Sequence, residues 1–241
     1  MLKYREKLPY KEKCILFGWN SEAWYRVLNK TDAFTAIKAK RALRVLEIGA
    51  GNLSACSLIF SREAKSITIG FWDDTARSQL NEQVNEYTSL YPNLNCNISK
   101  IDATDFIGKY DVIIMKSVMG GVFRNNSDAP LAINTRLQEI VRHHTNYGGY
   151  LITLDNGEGF FHPISKFFGS RCNNWYFAKP SDFIDYAEQT SFGFFSIFSF
   201  STRLGTLGRI LDRVTYNLDI FIGIFTKTSP TIICSVYRNR D

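Results

Sequence analysis

Several things are missing from this sequence, and each absence removes a class of protein. No apolar run approaches the roughly 18 to 20 residues that a membrane-spanning helix requires. The N-terminal stretch from Met1 to Lys7 is too charged for the apolar core of a secretory signal peptide. The five cysteines (Cys14, Cys56, Cys96, Cys172, Cys234) are odd in number, scattered, and never spaced Cys-x-x-Cys. That pattern makes neither a disulfide framework nor a zinc site, so reduced thiols in a cytoplasmic protein are expected. Acidic residues are outnumbered: the net charge is +6 and the sequence pI about 9.0. An anionic glycan, a lipid headgroup or nucleic acid would suit such a surface, although solubility alone accounts for it equally well.

What is present fits one globular domain. At 241 residues the chain is long enough for a sizeable core. Its 15% aromatic content is high enough to suggest a pocket or apolar face besides that core.

The chain is organised around Arg44 to Ser54. Val45, Leu46 and Ile48 read as a buried strand, followed by Gly49, Ala50 and Gly51 and then a helix expected from Asn52 to Arg62. Gly49 and Gly51 let the backbone turn tightly and approach a ligand. The dinucleotide fingerprint wants a third small residue, and Ser54 stands there. Glu47 is more telling, because a carboxylate beside the loop repels a pyrophosphate and suits an ammonium group.

Further strands are expected at Ser66 to Phe71, Cys96 to Ile101, Tyr110 to Met115, Tyr150 to Leu154 and Phe192 to Phe200, and a last one at Thr231 to Tyr237. Helices are expected near residues 21–28, 76–90 and 131–146, after Lys179, and from Leu207 to Phe221. An acid about 20 residues past a glycine loop can accept from both ribose hydroxyls, which makes Asp73 the candidate and Asp74 its neighbour one step on. Either could instead cap the next helix. Ser117 and the turn Gly120-Gly121 follow the fourth strand, where ligands of open α/β sheets sit.

Leu46-Glu-Ile-Gly-Ala-Gly51, with acids after the second and third strands and Gly148-Gly149 before the fifth, resembles the class I S-adenosylmethionine methyltransferases. The resemblance spans roughly residues 44 to 156. It implies an α/β fold, a Rossmann-like seven-stranded, mostly parallel sheet with helices on both faces, and the final antiparallel strand inserted between the fifth and sixth. It implies S-adenosylmethionine as cofactor and S-adenosylhomocysteine as product. Glu47, Gly49, Ala50, Gly51 and Asn52 would hold the methionine end, and Asp102 and Ala103 the adenine. Amino-directed DNA methyltransferases carry Asn- or Asp-Pro-Pro-Tyr after the fourth strand and cytosine-C5 enzymes a Pro-Cys; neither occurs here, so DNA is not the expected acceptor. Gly18-Trp-Asn20, residues 116–121, His162 and Trp175 more narrowly resemble small methyltransferases of bacterial surface-polysaccharide assembly.

A methyl acceptor hydroxyl needs a base. His162, in a loop beyond a strand end, has a suitable unperturbed pKa, and could equally make a structural hydrogen bond. Lys116 could act as a base if desolvated, or form a salt bridge. Asp155-Asn156 stands where cation-dependent O-methyltransferases bind Mg²⁺. Lys116 occupies the position of another required carboxylate, so no metal site is expected.

Residues 1–42 form an N-terminal helical extension ahead of a 43–241 domain, with an aromatic acceptor region from about 157. Trp19 and Trp24 would pack the extension onto the sheet or line a lid over the acceptor, with Asn156 alongside. The helix at 207–221 would cover the sheet edge, or rest as a basic amphipathic surface on the inner membrane. The expectation is an O-methyltransferase acting on a small-molecule or glycan-like hydroxyl. A non-catalytic scaffold of the same fold, and more remotely an RNA methyltransferase, stay open; no separate RNA-binding module is present.

Overall fold

The computed structural model describes residues 8–51, 54–89, 91, 93–124, 126–159, 175–193, 201–225 and 230–240. Alternation along β1 (Leu43–Ala50) sets the layers. Leu46 and Ile48 enter one core, while Val45 enters the other. β1 pairs in parallel with β2 (Ala64–Phe71) and β4 (Tyr110–Lys116), β2 with β3 (Asn95–Lys100), and β4 with β5 (Thr145–Asn156). β7 (Ile232–Arg238) runs antiparallel between β5 and β6 (Glu188–Phe192). The order is β3-β2-β1-β4-β5-β7-β6, as the sequence leads one to expect. Strand order reverses between β1 and β4, and a crevice opens at such a switch point at the carboxyl ends of the strands.

On one face lie α1 (Tyr10–Phe17), α2 (Ser21–Asn29), α3 (Asp32–Lys38) and α4 (Arg77–Thr88). Their Leu16, Phe17, Trp24, Ile37 and Leu80 are fully buried against Ile67, Ile69 and Ile152. On the other face α6 (Ala129–His144) drives Ile133, Leu137 and Ile140 into Leu46, Ile113 and Leu151. Burial of each such side chain contributes roughly 1.5–3 kcal/mol. The short α5 (Met119–Val122) follows β4. The edge strand is tied to the N-terminal helices, since the Glu188 carboxylate accepts from the free N–H groups of Asp32 (2.8 Å) and Ala33 (3.1 Å) at the start of α3.

Local expectations are corrected at several points. The helix expected at Asn52 to Arg62 is only a 3₁₀ turn, Cys56–Phe60, whose first N–H groups Glu47 captures. The helix expected after Lys179 is a single 3₁₀ turn, Pro180–Asp182. β6 lies at Glu188–Phe192, and of the strand expected at Phe192 to Phe200, residues 194–200 lie outside the described residues. Finally α7 (Ser201–Phe225), broken by Gly205 at φ 52° and ψ −122°, turns its apolar stripe outward and does not bury it on the sheet edge.

Candidate cofactor cleft

The crevice at the switch point is a cavity of about 500 Å³. Gly49 from β1, Trp72 after β2, Asp102 and Ala103 after β3, Ser117 after β4, and Trp175 line it. Gly49 has φ +77°, and a Cβ there would overlap the Cγ2 of Val118. Only glycine satisfies both demands. Gly51, half-buried beside the turn, has open space where its Cβ would be, so the loop is narrow at Gly49 and open at Gly51. Ala50 between them is buried and pairs with Phe71.

Asp102 sits half-buried at the rim. Its Oδ1 accepts from the Thr104 N–H (2.8 Å) and hydroxyl (2.7 Å), bonds that hold the carboxyl below the usual range. Its Oδ2 has no hydrogen bond among the described residues. The neighbouring Ala103 carbonyl accepts from Arg136 Nε (3.1 Å) and Nη2 (2.9 Å), anchoring this loop to α6. Ser117 takes a left-handed φ of 54°. Its N–H donates to the Leu154 carbonyl (2.7 Å) and its hydroxyl accepts from Asn156 Nδ2 (3.2 Å). The turns after β4 and β5 are thereby joined.

Glu47 lies beneath the loop, not at its surface. Its Oε1 accepts from the Cys56 N–H (2.9 Å), and its Oε2 from the Ser57 N–H (2.8 Å) and hydroxyl (2.7 Å). It is 1% exposed, and burial pushes its pKa up against those bonds. Lys116 is also buried, its Nζ 5.4 Å from the Trp19 ring centroid and 5.0 Å from that of Trp24. Burial pushes its ammonium pKa down, while Cys56 and Glu47 pull it back up. Trp19 and Trp24 themselves meet edge to face at 5.4 Å.

Two sequence candidates take the packing or capping role that the sequence leaves open to them. Trp24 is wholly buried, so it supports Trp19 and Lys116 and has no surface for a substrate. Asp73 is fully exposed and its Oδ1 accepts from the Thr75 N–H (2.9 Å), which caps the following 3₁₀ turn and lowers its pKa. Asp74 pairs with Lys100 (2.6 Å). The strand end itself belongs to Trp72, 61% exposed over the cleft. Asn52 and His162 lie outside the described residues.

Sequence reasoning named the Gly120-Gly121 turn and Asp155 without the roles the structure gives them, and passed over Trp72. Trp72 was the residue occupying an acid's usual station, a signal in itself. Gly120 and Gly121 seat the Trp175 indole: a Cβ on Gly120 would overlap its Nε1, and one on Gly121 would come within 2.8 Å of Cη2. Asp155 is 4% exposed, with Oδ2 lacking a hydrogen-bond partner among the described residues. Burial raises its pKa to about 7. No local pattern announces that.

Solved structures decide the architecture. BH2331 from Bacillus halodurans C-125, assigned as a methyltransferase, superposes with TM-score 0.54 at 12% identity, covering 86% of this chain and 96% of its own. Coclaurine N-methyltransferase, bound to N-methylheliamine and S-adenosylhomocysteine, gives TM-score 0.53 at 13% identity over 95% and 80%. The fold is that of the class I methyltransferases. The N-methyltransferase NodS from Bradyrhizobium japonicum WM9 gives TM-score 0.50 at 11% identity over 85% and 90%. This methyltransferase fold spans 61% of TehB from Haemophilus influenzae, to which the chain is 18% identical at TM-score 0.45. No family model matches the sequence, and no curated protein matches it.

Proposed function

We propose that the chain is an S-adenosylmethionine-dependent methyltransferase acting on a small-molecule or glycan-like acceptor. One observation carries the reading. The switch-point cavity is bounded by a glycine whose positive φ and close approach to Val118 disfavour any side chain, and by a half-buried carboxylate with one oxygen uncommitted among the described residues.

When bound, S-adenosylmethionine supplies a methyl group already activated on a sulfonium. The donor set suits such a ligand. Gly49 to Gly51 give its amino-acid end close backbone approach, with the Glu47 carboxylate below adding favourable charge through the loop it supports. Asp102 Oδ2 and the backbone of Ala103 suit the donor and acceptor edges of adenine. Trp72 offers a flat face beside the ribose, and Asp73 keeps the adjoining turn in place. Ser117 stands at the far wall with Asn156.

Methyl transfer is an in-line displacement, so the chain's main contribution is placement. Trp19 is the candidate acceptor contact, half-buried above Lys116. Lys116, its charge weakened by burial, is one candidate for a proton acceptor, and His162, outside the described residues, is the other for a hydroxyl acceptor. Oxygen is the proposed acceptor atom, and a polysaccharide precursor the proposed class. The N-methyltransferases among the structural relatives make an amine the alternative that product analysis should resolve.

Calorimetric titration with S-adenosylhomocysteine tests the core of this. Micromolar binding to the wild type, lost in Gly49→Val, is expected. No binding well above micromolar concentrations would leave a scaffold protein of this fold.

A further inference from the structure

α7 is built inside out. Leu207, Ile210, Val214, Leu218 and Phe221 fall within an arc of roughly 80° on the helix. All five are exposed, Phe221 at 61% and Leu207 at 59%. The opposite side carries Asp212, Thr215, Tyr216 and Asp219, and Asp219 is 2% exposed. Tyr216 docks this polar side to the body: its hydroxyl accepts from Arg26 Nη1 (3.4 Å) and its ring tilts against Phe192 at 5.4 Å. A surface helix that meets only water shows the reverse polarity. Behind α7 lies a cavity of about 550 Å³, walled on its far side by α1 and α2. Ile210 belongs to both the outer stripe and the cavity wall.

We propose that α7 lies in the headgroup–acyl boundary of an anionic phospholipid bilayer with this stripe inserted, so that the cavity behind it opens at the membrane surface. The stripe is single-file and convex and offers on the order of 500 Å² of apolar surface, short of the roughly 800 Å² per partner of a stable protein interface. An in-plane helix needs only such a stripe with a polar opposite face. Charge fits an anionic surface: the protein carries +6, exposed Arg213 borders the stripe, and the helix sequence also holds Arg203 and Arg209. Among the described residues no helix is long and apolar enough to cross a membrane. Asp212, Arg213 and Asp219 within α7 match a helix that lies flat. The docking itself goes beyond methyl transfer and does not rest on it.

Vesicle flotation of the full chain without any nucleoside tests the proposal. Wild type is expected to float with phosphatidylcholine vesicles containing about one third phosphatidylglycerol, and at least tenfold less with phosphatidylcholine alone or at about 0.5 M salt. Leu207→Ser/Leu218→Ser should lower binding at least tenfold with an unchanged thermal melt, both positions being exposed. Wild type that stays unbound to the anionic vesicles would overturn the idea, as would a double variant that floats equally well. So would a concentration-dependent dimer, seen in sedimentation and dissociated by the same double variant, if vesicles bind neither protein. Because S-adenosylhomocysteine titration is read separately, failure of either reading leaves the other intact.

Discussion

The two halves of the sheet's carboxyl edge are built on opposite terms. Past β2 and β3 the edge is open: Trp72 and Asp73 are exposed and Asp102 is half-buried. Each acid there is steadied by its own loop and held below the usual carboxylate range. Past β4 and β5 the charged strand ends are sealed, although the turn at Ser117 still lines the cleft. Lys116 is buried under Trp19 and Trp24, and Asp155 under α5, each with its pKa driven toward the neutral form. The lesson is that a strand-end carboxylate is not one kind of group. Where water reaches it, hydrogen bonds set its charge; where water is excluded, desolvation does.

The largest test of that contrast is the pH dependence of stability. Asp155 titrates near 7 in the folded protein and near 3.8 when unfolded. The folded state therefore binds the extra proton between those values, and its advantage is complete below about pH 3.8 and lost as pH rises through 7. The stability at stake is up to about 4 kcal/mol. Asp155→Asn should flatten the corresponding slope in denaturant midpoints between pH 4 and pH 7.5. An unchanged slope would show that water reaches Asp155 and that the contrast is false.

Gly49→Ala comes next. Its left-handed backbone and the overlap with Val118 should cost about 1–3 kcal/mol and abolish binding of S-adenosylhomocysteine. Adding Val118→Ala should recover the steric part of the stability loss but not the part due to φ. On the open side, Asp102→Ala should barely move the melting temperature while weakening the nucleoside about tenfold, the loss of one charge-assisted hydrogen bond. Asp73→Ala should have the smallest effect, under about threefold on affinity, because its carboxylate serves its own turn. If it matched Asp102→Ala, the acid would have to swing inward on binding.

The strands and the glycine turn at the crevice were legible because they depend on local apolar runs and glycines, whereas the order of the strands came from the resemblance to the class I methyltransferases. Ile67 and Ile69, or Val112 to Met115, can hardly be anything but buried strand. What local sequence could not convey was direction. The periodic stripes of α6 and α7 look alike on paper, yet Leu137 is fully buried and Leu207 exposed. Periodicity reports that a face exists, and only tertiary placement reports where it points. The same holds for Glu47, whose proximity to the loop was readable but whose commitment to Cys56 and Ser57 required knowing that the next segment shortens to a 3₁₀ turn. α1 and α3 went unanticipated for a related reason. α1 is short and weakly patterned, and α3 is a seven-residue helix whose local Thr31 cap is supplemented by Glu188, 156 residues away.

The seat that Gly120 and Gly121 provide for Trp175 makes the width of the cleft an adjustable quantity. The indole arrives from a distant part of the chain and is kept back only by the absence of side chains beneath it. A methyl group added at Gly121 would meet only the ring and act like a shim beneath it, whereas one at Gly120 would also run into the Tyr176 carbonyl oxygen. Ligand size could therefore be retuned from underneath, at Gly121, while the acids at the rim stay as they are.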